Sequence, residues 1–204
     1  MATPDPQPQH SEFALARLLW CVRTTGYLAT VKRSDELLSK SLGGDLVAFV
    51  AETLPGSWMR GVPREDWSET HTDVAISGAA DANTASRFGE LVARIEATER
   101  IPADGWKLSS DGLFQGSVLL LPEVLQAFVA RAQCDVLLAN PDRSQLLVVP
   151  ITAPSADRFA MRAAREWREA MNPVSREVLI SDGSTIQLVG RKRSRLDLLP
   201  WLAN

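Results

Sequence analysis

Side chains suited to covalent or acid–base chemistry are scarce in this sequence. Its 204 residues include two cysteines, Cys21 and Cys134, which lie far apart and in no paired spacing. Two isolated thiols make neither a disulfide framework nor a zinc site, so a reducing compartment is the simplest prediction. The two histidines, His10 and His71, have no cysteine at metal-ligand spacing, and we interpret both as solvated surface residues.

Long apolar runs are also missing. The longest candidate, Val118–Leu121, has the size of a core segment, whereas a helix that spans a bilayer needs about 20 apolar residues. The first nine residues are rich in proline and lack the basic and apolar regions of a secretory signal. We therefore predict a cytoplasmic protein without a membrane partner, which begins with a flexible leader over residues 1–10.

The common short motifs of catalytic and metal sites are absent as well. None of the patterns D-x-D-x-D-G, H-E-x-x-H, G-x-x-x-x-G-K and G-x-S-x-G occurs in the chain. Ser109–Gly112 and Ser181–Ser184 have the composition of turns. Cys134 would need a paired base to act as a nucleophile, and we interpret it as a small apolar residue. We expect no metal, no cofactor and no catalytic residue.

The composition is that of an ordinary globular protein. Hydrophobic residues make up 45% and charged residues 23% of the chain, which argues against a largely disordered or collagen-like protein. The formal net charge is −3, so the molecule as a whole does not attract nucleic acid. Residues 158–195, however, contain nine basic and four acidic side chains. This part is the candidate surface for an anionic partner.

Apolar spacing predicts the secondary structure. In the first half we expect a helix over 13–22 with Ser11 as its N-cap, a short amphipathic stretch over 34–40, strands over 46–50 and 58–62, and helices over 74–80 and 88–95. In the second half we expect strands over 106–108 and 114–120, a helix from Pro122, a hairpin of strands 135–139 and 146–149, a helix from Ser155 to Met171, and a second hairpin over 178–189.

The two halves have the same plan. Asp45–Val62 and Asp135–Ile151 each place an Asp before an apolar strand, then a turn with Pro and a second strand, with helices on both sides. We predict an α+β protein of two αββα-like halves, each a small antiparallel sheet covered by helices, with one mixed sheet as the alternative. The predicted divisions are a leader (1–10), a first half (11–100), a second half (101–190), and a basic and then apolar tail (191–204) that docks on the body.

The arginines of the predicted long helix are the most conspicuous polar set. Arg158, Arg162 and Arg165 recur at spacings of four and three residues, so they share one helix face, which Arg168 borders. The opposite side is the predicted buried stripe, formed by Ala160, Ala163, Ala164, Trp167 and Met171. This face is a candidate site for phosphate or an acidic partner. The alternative that we favour is a solvated helix face, whose positive charge is partly offset by Glu166 and Glu169.

Carboxylates at element ends provide a second candidate site. Asp45, Asp66, Asp135 and Asp142, together with Arg60, could converge between the two halves and handle a small molecule or a phosphate. The alternative is that these Asp side chains make local hydrogen bonds in turns.

The order of residues also indicates a family. Leu119–Pro122, Cys134–Asp142 and Leu146–Val149 follow one another as a helix start and a hairpin, and Asp45–Val50, Arg60, Val62, Asp66–Trp67 and Asn83 lie upstream. In this order the stretch from Asp45 to Val189 resembles the YtpQ-like bacterial proteins of unknown function. The chain departs from them in a shorter N-terminal extension and an extra basic tail. The resemblance implies a cytoplasmic bacterial α+β protein and supplies no activity or catalytic residue.

The sequence therefore favours binding over catalysis. We expect a non-enzymatic binding or adaptor protein whose partner is another protein. The partner could be acidic or carry phosphate, and we do not expect it to be a nucleic acid. The alternatives are an immunity-type protein that neutralises a toxin, and a small-molecule or phosphate-handling enzyme whose site lies between the halves.

Overall fold

The computed structural model describes residues 13–55, 58–109 and 114–189, and its strands form two antiparallel sheets. The first sheet contains β1 (Leu18–Thr24), β2 (Ser39–Gly43), β3 (Leu46–Leu54) and β4 (Trp58–Gly61). The second contains β5 (Trp106–Ser109), β6 (Val136–Asp142), β7 (Gln145–Pro150), β8 (Leu179–Ser181) and β9 (Ile186–Leu188). The α-helices are α1 (Thr25–Leu28), α2 (Asp73–Arg87), α3 (Leu91–Glu96), α4 (Pro122–Ala132) and α5 (Phe159–Glu169). The predicted α+β class is confirmed, whereas the alternative of one mixed sheet is wrong.

In the first sheet, β3 is the central strand. Ala51 and Glu52 of β3 pair with β1 and also with β4, so β4 lies on the side of β3 away from β1. β2 pairs with the first part of β3 on that same side. β3 is apolar over most of its length because both faces of the sheet are covered.

The second sheet has the strand order β5-β7-β6-β8-β9. Side chains alternate along β6 and β7, as the period of two in a strand requires. Leu138 and Val148 face the side covered by α4, and Ala139 and Leu147 face the side covered by α5. The glycine before β5, Gly105, has φ +72°, and a Cβ there would lie 2.2 Å from the Val148 carbonyl oxygen.

One apolar core joins the two sheets. Trp20 and Val22 of β1 belong to the same buried cluster as Val118, Phe128 of α4 and Leu138 of β6. The linking segment is a buried 3₁₀ helix, Gln115–Leu120, which packs against β1 and β7. The two halves of the sequence therefore share their core.

The helix predicted over 13–22 is wrong, because residues 18–22 belong to β1 and only the short 3₁₀ helix Leu15–Arg17 precedes it. Leu18, Trp20 and Val22 face the shared core, whereas Leu19 and Cys21 face a second apolar cluster on the other side of the sheet. A strand that is buried on both faces is a continuous apolar run, and such a run also fits a helical spacing.

Two further segments differ from the prediction. Residues 114–120, expected to be a strand, form the 3₁₀ helix Gln115–Leu120. Residues 34–40, expected to be amphipathic, form the 3₁₀ helix Ser34–Glu36 and the start of β2. Within the buried 3₁₀ helix, a Cβ at Gly116 would meet the Asn140 side chain at 2.3 Å. The conformations of residues 34–40 and 114–120 both depend on packing partners that are distant in the sequence.

The predicted long helix is shorter at both ends. Ser155 has helical dihedrals and makes no side-chain cap; its hydroxyl donates to the Ala103 carbonyl at 2.8 Å. A 3₁₀ helix, Ala156–Arg158, precedes α5, which ends at Glu169. Phe159 and Ala163 are the buried residues of α5, so the predicted buried stripe holds for Ala163 and is wrong for Ala160 and Met171, which are exposed.

The predicted leader (1–10) and C-terminal tail (191–204) lie outside the described residues. None of the helices within the described ranges combines the length and the apolar character that crossing a membrane requires.

Candidate partner-binding surface

Helix α5 rests on the second sheet through a narrow apolar contact. Phe159 and Ala163, which are four residues apart, pack against Ala139, Leu147 and Val149. Trp167 is half-buried beside them, and the Arg176 guanidinium lies 5.7 Å from the centre of its ring. Ala160, Met161, Arg165, Arg168 and Glu169 are the exposed residues of the helix.

The outward side of α5 combines methionine with arginine. Arg158, Met161, Arg165 and Arg168 follow one another at spacings of three, four and three residues, which places them on one side of the helix. Met161 is 60% exposed, and Met171, just beyond the helix end, is 93% exposed. We call these five residues, Arg158, Met161, Arg165, Arg168 and Met171, the α5 outer face.

The arginines of the α5 outer face have no acidic partner in the described part of the chain. No carboxylate there lies within 4.0 Å of Arg158, Arg165 or Arg168. Glu166, which the sequence suggested as an offset, instead pairs with Lys107 of β5 at 3.1 Å. The five residues of the face carry three positive charges and no negative one, and Glu169 is exposed beside them without an ion pair to any of the three.

The structure separates the three arginines predicted to act together. Arg158 and Arg165 are exposed, but Arg162 is half-buried and donates from Nη1 to the Asp104 carbonyl oxygen. Arg162 thus ties α5 to the loop before β5. Arg168 takes its place at the surface, together with Met161 and Met171. The three- and four-residue spacing of Met161, Arg165 and Arg168 was a signal in the sequence, whereas the assignment of Met171 to the buried stripe missed its exposure.

The five residues of the predicted inter-half site do not meet in one cluster. Arg60 pairs with the buried Glu52 of β3 at 2.7 Å, and Asp66 lies in the 3₁₀ helix Arg64–Asp66. Asp135 lies just before β6 and Asp142 is its last residue. At the rise per residue of a β-strand, the two are about 20 Å apart. Asp45 accepts a hydrogen bond from the Ser175 hydroxyl at 2.7 Å.

Asp142 lies in a dense local hydrogen-bond network. Partial burial raises the pKa of Asp142, but hydrogen bonds from the Ser144 hydroxyl and the backbone N–H groups of Ser144 and Asn172, with the charge of Arg143, outweigh it and lower the pKa. The carboxylate is therefore held in its charged form. Its contacts are those of a turn, which is the alternative that the sequence suggested for these Asp residues.

No group of three or more His, Cys, Asp or Glu side chains in the described ranges is arranged to hold a metal ion. Comparison with known proteins found no family model, no curated protein and no solved structure that matches this chain.

Proposed function

We propose that this protein is a non-enzymatic binding protein, an adaptor, which takes an acidic segment of a partner protein on the α5 outer face. The observation that carries the proposal is the pairing of exposed methionines with arginines that have no acidic partner among the described residues. The likeness of residues 45–189 to the YtpQ-like bacterial proteins is part of the proposal, and it leaves the function open.

The side-chain types support an interface over a solvated helix face. Methionine and arginine are enriched in protein interfaces, where lysine and glutamate are depleted. Between Lys107 and Lys192 the chain uses arginine alone as its basic residue type. Arginine is more weakly hydrated than lysine and binds carboxylates with two parallel hydrogen bonds, so it loses less when an interface covers it.

Charge determines the kind of partner. A segment with carboxylates opposite Arg165 and Arg168 and an apolar side chain opposite Met161 would match both components of the α5 outer face. Methionine adapts its shape to varied apolar partners. The two cysteines, which are not paired with each other, support a cytoplasmic location for this interaction.

The test uses fluorescence anisotropy with a labelled amphipathic peptide of about 16 residues that presents Glu on one face and Leu on the other. We expect the full chain to bind it with micromolar affinity, and Arg165→Glu/Arg168→Glu to weaken binding by about tenfold or more. Met161→Ser should weaken binding of this Glu/Leu peptide, because it removes the apolar contact. A second peptide with Ser in place of Leu should bind Met161→Ser and the original chain with the same affinity.

The matched control is Arg94→Glu, which reverses an exposed arginine on helix α3. It should leave the affinity unchanged, and raising the salt concentration from about 0.05 to about 0.5 M should weaken binding to the α5 outer face. If Arg94→Glu and Arg165→Glu/Arg168→Glu reduce binding equally, or if no peptide binds, the proposal is wrong.

A further inference from the structure

A second cationic site lies where the two sheets meet, and it contains Arg23 of β1. Arg23 is only 5% exposed. Its Nη1 donates to the carbonyl oxygen of Val22, 3.0 Å away, and its guanidinium lies 5.3 Å from the centre of the Tyr27 ring. No carboxylate of the described residues lies within 4.0 Å of it. A buried charge of this kind is costly unless a counter-charge binds it.

Arg143 provides the second guanidinium at this junction. It lies in the turn between β6 and β7, where its backbone N–H bonds to the Asn172 carbonyl and its carbonyl accepts from the Gln115 N–H. Its Nε is buried and has no hydrogen-bond partner among the described residues. Burial and the neighbouring charge of Arg23 lower the pKa of Arg143.

Among the described residues, Asp142 is the carboxylate whose charge acts on Arg143, and it is already engaged. Oδ1 of Asp142 accepts from the N–H and the hydroxyl of Ser144, each at 2.7 Å, and Oδ2 accepts from the Asn172 N–H at 2.9 Å. Cys21, which also lies near both arginines, is buried, and burial raises the pKa of its thiol. Asp142 is thus held within its own turn, and no ion pair joins it to Arg23 or Arg143.

The junction is built by distant parts of the chain. Arg23 shares the face of β1 that carries Cys21, because residues two apart in a strand point the same way. The 3₁₀ helix Gln115–Leu120 packs on β1 and β7, and its Gln115 N–H bonds the Arg143 carbonyl in the β6–β7 turn. Tyr27, 41% exposed, gives this region a surface in contact with solvent.

We propose that Arg23 and Arg143 bind an oxyanion, a carboxylate or a phosphate group, at the junction of the two sheets. Planar guanidinium groups bind both kinds of anion through paired N–H donors, and the buried Nε of Arg143 supplies one such donor. Neither arginine of this site belongs to the α5 outer face, and the proposal does not depend on the proposed adaptor function.

The experiment measures thermal unfolding of the full chain in increasing concentrations of acetate and of inorganic phosphate, against chloride at equal ionic strength. We expect a saturable rise of Tm in the original chain, since a ligand that binds only the folded state stabilises it. A greater effect of acetate would indicate a carboxylate ligand, and a greater effect of phosphate a phosphoryl ligand. Isothermal titration gives the affinity directly.

Two substitutions at one position test the role of Arg143. Arg143→Met should reduce the anion affinity at least about tenfold while leaving Tm without anion unchanged or raised, because it removes a buried donor without a partner. Arg143→Lys keeps the charge but lacks the Nε donor, and it should bind with intermediate affinity. Arg94→Glu, which reverses an exposed arginine on α3, is the control and should bind both anions as the original chain does.

The proposal is overturned if neither anion raises Tm beyond chloride, or if Arg143→Met and Arg143→Lys bind the anions as well as the original chain. It is also overturned if both substitutions lower Tm in chloride and leave the anion-dependent rise intact, because Arg143 would then be structural.

Discussion

Asp182 shows how far a single residue can be understood from its neighbours. Its Oδ1 accepts hydrogen bonds from the N–H groups of Ser184 and Thr185, both at 2.8 Å. Gly183 follows with φ +92°, a conformation that favours glycine. The dipeptide Asp-Gly predicts this turn because its causes lie within four residues.

The same hydrogen bonds make a prediction about acid stability. Hydrogen bonds from the N–H groups of Thr185 and Ser184 lower the pKa of Asp182 to about 2. Because the pKa is lower in the folded state than the unfolded value of about 3.9, the stabilisation is present above that value and is lost as the pH falls through about 2. We expect Asp182→Asn to be less stable than the original chain at pH 6, with the difference shrinking between pH 4 and 2.

The measurement is the free energy of unfolding in urea at a series of pH values. The amide of Asp182→Asn keeps one acceptor oxygen, so the comparison isolates the charge. A difference between the two proteins that stays constant down to pH 2 would contradict the prediction.

At the scale of elements, the exposed edge of β1 is closed by side chains. Asn83 of α2 donates to the carbonyl oxygen of Leu18 at 2.9 Å, and the Trp20 N–H donates to Thr84 Oγ1 at 3.2 Å. The Ser117 hydroxyl donates to the Trp20 carbonyl oxygen. These contacts satisfy backbone groups that would otherwise be open to another strand.

Removing one of these contacts should expose the edge. We expect Asn83→Ala to lower the free energy of unfolding by about 1–2 kcal/mol, because the Leu18 carbonyl loses its partner. The variant should also aggregate faster at a temperature where both proteins are folded, as measured by light scattering. Ser86→Ala, an exposed change on the same helix, is the control, and equal behaviour of the two variants would contradict this role for Asn83.

At the scale of the whole molecule, the shared core couples the two sheets. The apolar cluster runs from β1 through the buried 3₁₀ helix to α4 and β6. Asp45, which accepts from the Ser175 hydroxyl, also donates its N–H to the Glu177 carboxylate at 2.9 Å, across the same junction. Neither half can bury its apolar surface without the other.

This coupling predicts one cooperative unfolding transition. Far-ultraviolet and near-ultraviolet circular dichroism should change at the same urea concentration, since Trp20 and Trp106 lie in the core that the two sheets share. Fragments 11–100 and 101–190, produced separately, should not fold, because each exposes its side of the shared core. Two separate transitions, or a folded fragment with native spectra, would contradict this.

Local chemistry was enough to predict much of the second half. Pro122 begins α4, the apolar runs on each side of Asn140–Ser144 pair as β6 and β7, and Asp182–Gly183 turns β8 into β9. For the candidate surface, spacing alone placed Arg158 and Arg165 on one side of a helix. These features arise from interactions between residues a few positions apart, so they can be recognised directly in the sequence.

Tertiary structure decided the rest. Leu18–Val22 is a strand because apolar groups cover it on both faces, and its own spacing is equally compatible with a helix. Met171 is exposed because α5 ends at Glu169, and Arg162 is tied down because the loop before β5 lies beside it. Arg23 and Arg143 meet only when the sheets pack. The periodic elements and their turns follow from local patterns of residues, since their energetics are local. Long-range packing decides which faces are buried and which charged groups lie close together. Local sequence patterns do not reveal that packing.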